Sequence, residues 1–129
     1  MGKDTIKELM EKQLDNVPED YKLSESDLKR ILKYIVSSLF DKDKCCLWNG
    51  YITTNKGLYV NFYFKKKKMA LHRLLYLNFI GEIYENNYLT YNCHNKGKCC
   101  NINHIERKKK YIKSYNNPNV KEKTTVYFD

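Results

Sequence analysis

Residues 91–106 read YNCHNKGKCCNINHIE, and the spacing of Cys93, Cys99 and His104 within that stretch decides how the chain is expected to fold. Zinc takes four nitrogen or sulfur ligands in a tetrahedron. Short loops between soft ligands let one ion stand in for a core that so polar a segment cannot build. Asn95, Gly97 and Asn101 are residues suited to the tight turning this requires. Three ligands lie in the loop, so the fourth comes from elsewhere: Cys45 or Cys46 is the expected donor, with His94 and Cys100 as competitors. Five cysteines, an odd number, set among histidines read as metal ligands rather than disulfide partners in a reducing compartment.

Outward from this loop, 129 residues suit one modest core and do not suggest two independent domains. Residues 5–14 read as a short helix ending before Pro18, which cannot continue one. Leu28, Ile31, Leu32, Ile35, Val36, Leu39 and Phe40 recur at the spacing of one helical face, predicting a second helix. Ser24 or Ser26 is placed to cap it, and Asp27 suits its positive end. From residue 47 to 64 the text turns β-rich. Val60, Phe62 and Phe64 alternate with Tyr59, Asn61 and Tyr63, and Asn55-Lys56-Gly57 marks the turn of an expected hairpin. Residues 65–68 form a second turn, followed by a strand running into a short helix, HRLLYLNFI, that Gly81 stops. A loop over 82–90 leads to a last strand, and a basic helix is expected over 105–115, before Pro118. The domain expectation is a helical extension over 1–43, a zinc-binding domain over 44–115 and a polar tail over 116–129.

Lys and Arg outnumber Asp and Glu by 24 to 15, a net charge of +9, and the excess lies mostly beyond residue 43. A polyanionic partner follows, with nucleic acid ahead of a membrane because no basic helix also carries a strong apolar face. Lys65, Lys66, Lys67 and Lys68 at a turn, and Arg107, Lys108, Lys109 and Lys110 after the metal loop, are positioned to neutralise phosphates. The tyrosines among them, Tyr59, Tyr63 and Tyr111, are read first as sheet-covering residues and second as stacking surfaces. No stretch reaches the roughly 20 apolar residues of a membrane span, and the charged start, MGKDTIKELM, is unlike a signal peptide. A soluble intracellular protein, nuclear or cytoplasmic, is the expectation.

An ordered set of pieces carries a resemblance: Cys45-Cys46-Leu47-Trp48-Asn49-Gly50, Gly57 with Tyr59, Leu71-His72-Arg73-Leu74-Leu75-Tyr76, Gly81-Glu82-Ile83, Cys93, and Cys99-Cys100-Asn101-Ile102-Asn103-His104-Ile105-Glu106. Over residues 45–115 this resembles the zinc-loop branch of the His-Me finger (ββα-metal) homing endonucleases, relatives of the HNH nucleases. The resemblance implies an α+β, ββα-metal domain and, through the family's C-x-x-W arrangement, a structural zinc held by Cys45, Cys93, Cys99 and His104.

The same carry-over fails at the chemistry. The family's general base, a histidine two positions before the first loop cysteine, falls on Tyr91, and a phenol of pKa about 10 accepts protons poorly at neutral pH. Its magnesium-holding asparagine falls on Lys113, whose ammonium repels a divalent cation. His94 as a substitute base, or Asn116 or Asn117 as a metal ligand, would need a slip of the alignment. His72 reads as a packed residue at a strand-to-helix corner, and Arg73 as a phosphate grip. The expectation is therefore a catalytically degenerate nucleic-acid-binding protein acting on double-stranded DNA, or RNA. The alternatives are a magnesium-dependent endonuclease using His94, and a zinc subunit with a protein partner in a larger viral or chromatin assembly.

Overall fold

The computed structural model describes residues 4–54 and 59–110. Helix α1 (Ile6–Lys12) begins with a reciprocal cap. The Thr5 hydroxyl accepts from the Glu8 amide (3.1 Å), and the Thr5 amide donates back to the Glu8 carboxylate (2.8 Å). Ser24 and Asp27 repeat the device on α2 (Glu25–Tyr34), at 3.1 and 2.9 Å. Helix α2 is shorter than its apolar stripe predicts. Ile35 is extended and pairs with Trp48, Val36 points to solvent (57% exposed), and Leu39 reaches the core from irregular chain. The β-branched pair Ile35-Val36 followed by Ser37-Ser38 favours leaving the helix, and the continuing apolar spacing concealed the exit.

The regular hairpin lies one strand later than expected. Strands β1 (Asn61–Phe64) and β2 (Lys67–Ala70) pair antiparallel, with Tyr63 opposite Lys68 and Phe62 opposite Met69. Among the described residues between 47 and 60 there are only single bridge pairs, such as Thr53 with Tyr59. Strand β2 runs directly into α3 (Leu71–Phe79). Strands β3 (Asn87–Tyr91) and β4 (Ile105–Lys109) form a second antiparallel pair, with the cysteine-rich loop between them.

Strand β4 replaces the first part of the expected basic helix. Its charged residues would suit a helix, but the loop returns the chain alongside β3, and pairing from Asn87 with Lys109 to Tyr91 with Ile105 overrides local propensity. The turn residues 55–57, Lys113, Asn116, Asn117 and the tail over 116–129 lie outside the described residues.

The chain is thus a small mixed α+β protein. Its core joins Leu9, Leu28 and Ile31 from the N-terminal helices to Phe64 from β1 and Leu71, Leu74 and Leu75 from α3, so residues 4–43 share the core of the rest. No helix among the described residues is long and apolar enough to cross a membrane.

Candidate metal centre

Cys45 and the cysteine-rich loop are far apart in sequence and meet through backbone pairing. Leu47 pairs antiparallel with Cys99, the Trp48 amide donates to the Lys98 carbonyl (3.0 Å), and the Cys100 amide donates to the Cys46 carbonyl (2.6 Å). Adjacent residues of extended chain face opposite ways. Cys45 and Cys99 accordingly belong to the ligand cluster, while Cys46 and Cys100 enter the core. The fourth member of the cluster is thus Cys45, and not Cys46 or Cys100, a choice that spacing alone left open. Gly97, at φ 82°, adopts the left-handed conformation at the loop's bend, where the Asn95 carbonyl accepts from the amides of both Lys98 and Cys99 (3.0 Å each).

The ligand atoms of Cys45, Cys93, Cys99 and His104 all lie within 4.8 Å of one another. His104 Nδ1 is 3.5 Å from the Cys99 sulfur and 3.6 Å from that of Cys45. His94 is exposed and outside this group. Asn101, fully buried, braces the site: its amide nitrogen donates to the Asp41 and Lys44 carbonyls (2.6 and 2.8 Å), tying the approach to Cys45 to the loop. Its backbone amide points at the Cys99 sulfur (3.4 Å), a contact that steadies a thiolate.

The thiol chemistry fits a cation. Burial pushes Cys99 up to about 12, against hydrogen bonds from the Asn101 and Cys46 backbone, and the thiols of Cys45 and Cys93 add to the rise. Cys93 is raised, with burial foremost, whereas Cys45 is lowered because hydrogen bonds, first from the Asn95 side chain, outweigh its burial. Three thiols this close cannot all ionise by themselves, and a bound dication reverses that balance. Burial holds Cys46 at about 11 and Cys100 well above the usual thiol range, as suits neutral core residues.

Tyr91 ends β3, two residues before Cys93, and burial first, then the nearby thiols, raises its phenol further above its ordinary value. The His72 ring faces it at 5.3 Å between centroids, inclined 45°. His72 sits in the first turn of α3, half-buried, and its Nδ1 is buried with no hydrogen-bond partner among the described residues. Nothing in the sequence signalled this juxtaposition, since His72 and Tyr91 are nineteen residues apart and meet only in the fold.

Burial, then the neighbouring Arg73 charge, pushes His72 down from 6.5 to about 4. Its acid dependence follows from linkage. The folded protein keeps the ring neutral, whereas the unfolded chain binds a proton below about pH 6.5, so stability falls between pH 6.5 and 4. The loss reaches about 3 kcal/mol and then levels off. His72→Phe is expected to remove this component and to cost little at neutral pH, because it also removes the unpartnered nitrogen. Urea unfolding at a series of pH values would check it, and parallel curves for the two proteins would refute it.

The basic residues are distributed over both sheets. Lys65 to Lys68 are exposed on the β1–β2 hairpin, although the Lys65 ammonium is tied to the Glu19 carbonyl (2.6 Å). Arg73 is exposed and borders a hollow of about 480 Å³ with Glu82 and Tyr84. Arg107 donates to the Glu82 carbonyl (2.8 Å) and lies over the Tyr84 ring, and Lys108 pairs with Glu106 at 3.7 Å. Lys109 and Lys110 are exposed. On β4 the side chains of Arg107, Lys108 and Lys109 alternate sides, where a basic helix was expected to carry them.

Comparison with known proteins finds 59% identity over 121 residues with an uncharacterized protein of Acanthamoeba polyphaga mimivirus, a match covering 91% of this chain and 34% of that protein. The chain therefore spans about a third of the length of this curated viral relative. No family model and no solved structure matches.

Proposed function

We propose that the chain is a nucleic-acid-binding protein built on a zinc-stabilised, catalytically degenerate His-Me finger domain of the ββα-metal type. The observation that carries this reading is the convergence of Cys45, Cys93, Cys99 and His104 beside a strand that ends in Tyr91. Three thiolates and an imidazole are a donor set suited to zinc, which in a closed site of four protein ligands acts structurally. A half-buried tyrosine with a raised pKa stands where the family's base would be, and a phenol held protonated is a poor acceptor for a proton from water. The exposed Lys66, Lys67, Lys68, Arg73, Lys109 and Lys110 are suited to phosphate contacts, with duplex DNA as the partner and RNA as its variant.

A fluorescence-anisotropy titration against a duplex tests this. Neutralising four or five phosphates should give a slope of about −4 in log affinity against log salt. Absence of salt-dependent affinity for duplex DNA, single-stranded DNA and RNA alike would remove the proposal. Supercoiled plasmid with magnesium or manganese should remain intact. Nicking that disappears in His94→Ala would instead establish the enzyme reading, with magnesium as its cofactor.

A further inference from the structure

We infer that the outer face of the β1–β2 hairpin is a stacking platform for unpaired nucleobases, so that this protein prefers nucleic acid with a single-stranded segment to uninterrupted duplex. The inference rests on the nucleic-acid reading above and departs from it in the kind of strand, since that reading takes duplex DNA as the partner. Residues two apart on a strand share a face, as do residues directly opposite in an antiparallel pair. Asn61 and Tyr63 of β1 and Lys68 of β2, which is Tyr63's cross-strand partner, are therefore on one side, opposite the buried Phe62 and Phe64. Tyr51 and Thr53 complete that side, and the five residues line an open hollow of about 220 Å³. The floor is fixed by a hydrogen bond from the Asn61 side-chain amide to the Thr53 hydroxyl (2.9 Å).

The composition of this face identifies its occupant. Tyr51 is 76% exposed and Tyr63 58%, so two aromatic rings on this side are open to water. The hollow is smaller than the roughly 300–1,000 Å³ of sites that enclose drug-sized ligands, and it suits a single planar ring. A base stacked on a tyrosine would have its phosphate within the field of Lys68 and of Lys66 at the turn, and a chain of net charge +9 complements a polyanion.

The turn carries an independent sign. Lys65 and Lys66 both have positive φ, 50° and 69°, in a two-residue turn where Asn-Gly would be less strained. Positions that break a local preference are expected at functional or strained sites. The Lys65 ammonium is held by the Glu19 carbonyl, which leaves Lys66 at the tip beside the platform.

The test is binding of a labelled oligothymidylate and of a blunt duplex of equal length to the full zinc-loaded chain. Wild type is expected to bind the oligothymidylate more tightly. Tyr63→Ala and Tyr51→Ala should each weaken that binding about tenfold while changing duplex affinity less than about twofold, and Tyr63→Phe should restore it because the ring is what stacks. Lys68→Ala should lower the salt slope by about 1. Both tyrosines are exposed, and circular dichroism of each variant confirms folding. If both ligands bind but neither alanine variant weakens the oligothymidylate complex, the platform is wrong and the phosphate-binding reading stands. If wild type binds neither ligand, both readings fall.

Discussion

Replacing Cys99 with alanine is expected to abolish stoichiometric metal binding and to leave the chain largely unfolded at room temperature. The loop over 92–104 has little with which to hold itself. Gly97, Cys99, Cys100, Asn101, Ile102 and His104 are buried, while the loop's other Asn, Lys and His residues are exposed or half-exposed. In zinc-dependent peptides the ion contributes an apparent 10–16 kcal/mol or so, comparable with the whole stability of about 5–15 kcal/mol of an ordinary domain. The loss extends beyond the loop, because Leu47 and Trp48 are paired to it and Ile102 enters the common core with Leu39, whose carbonyl accepts the Ile102 amide at 2.7 Å. Elemental analysis of the purified protein should find one zinc per wild-type chain and none in Cys99→Ala, and thermal melting by circular dichroism should lose its cooperative transition. Cys100→Ala and Cys46→Ala are the controls. Each removes a neutral buried thiol, is expected to cost on the order of 1–2 kcal/mol and retains the metal. Wild-type protein that is folded and metal-free, or Cys99→Ala that keeps equimolar zinc, would overturn the assignment.

That contrast between neighbouring cysteines shows where sequence reading succeeds and where it stops. Cys93, Cys99 and His104 are legible because their spacing is local and the surrounding text is polar. The choice of Cys45 over Cys46 came from the resemblance, since in extended chain one residue of register exchanges the two faces and the pairing partner, Cys99, lies more than fifty residues away. The capping pairs Thr5 with Glu8 and Ser24 with Asp27 are equally local; for the second, the sequence offers Ser24 or Ser26 as the cap, and the structure uses Ser24. Strand β4 was misread for the complementary reason. Glu, Arg and Lys have good helix propensity, and nothing nearby in sequence says that β3 will be alongside. Tyr63 belongs to the same class: alternation correctly put it opposite Phe62 and Phe64, but whether that opposite face is covered depends on the distant Tyr51 and Thr53. The exit from α2 at Ile35 was hidden because the apolar spacing continues through residues the core uses in a non-helical conformation.

Replacing Asn78 with alanine is expected to destabilise the protein by about 4 kcal/mol and to lower its melting temperature by roughly 10–20 °C. Asn78 is fully buried on α3, and its side chain satisfies four bonds. The oxygen accepts from the Gln13 side chain (2.7 Å) and the Leu23 amide (2.9 Å), while the nitrogen donates to the Tyr21 and Leu74 carbonyls (2.8 Å each). Alanine leaves the Leu23 amide and two carbonyls without that partner, each at a desolvation cost of about 1–3 kcal/mol. Nothing in the run HRLLYLNFI marks this asparagine as a clamp, because all but one of its partners lie in the N-terminal segment. The same bonds give the variant diagnostic value. If the N-terminal segment, α3 and the metal loop unfold as one cooperative unit, a ligand that binds only the folded state stabilises all of it. Each tenfold rise in free zinc above its dissociation constant should then add roughly 1.4 kcal/mol to the stability of Asn78→Ala. If the segment over 1–43 were an extension folding separately, excess zinc would leave the Asn78→Ala transition where it was. Melting curves of the variant across a zinc series therefore distinguish one folding unit from two, and the shared core of Leu9, Leu28, Phe64, Leu74 and Ile102 predicts one.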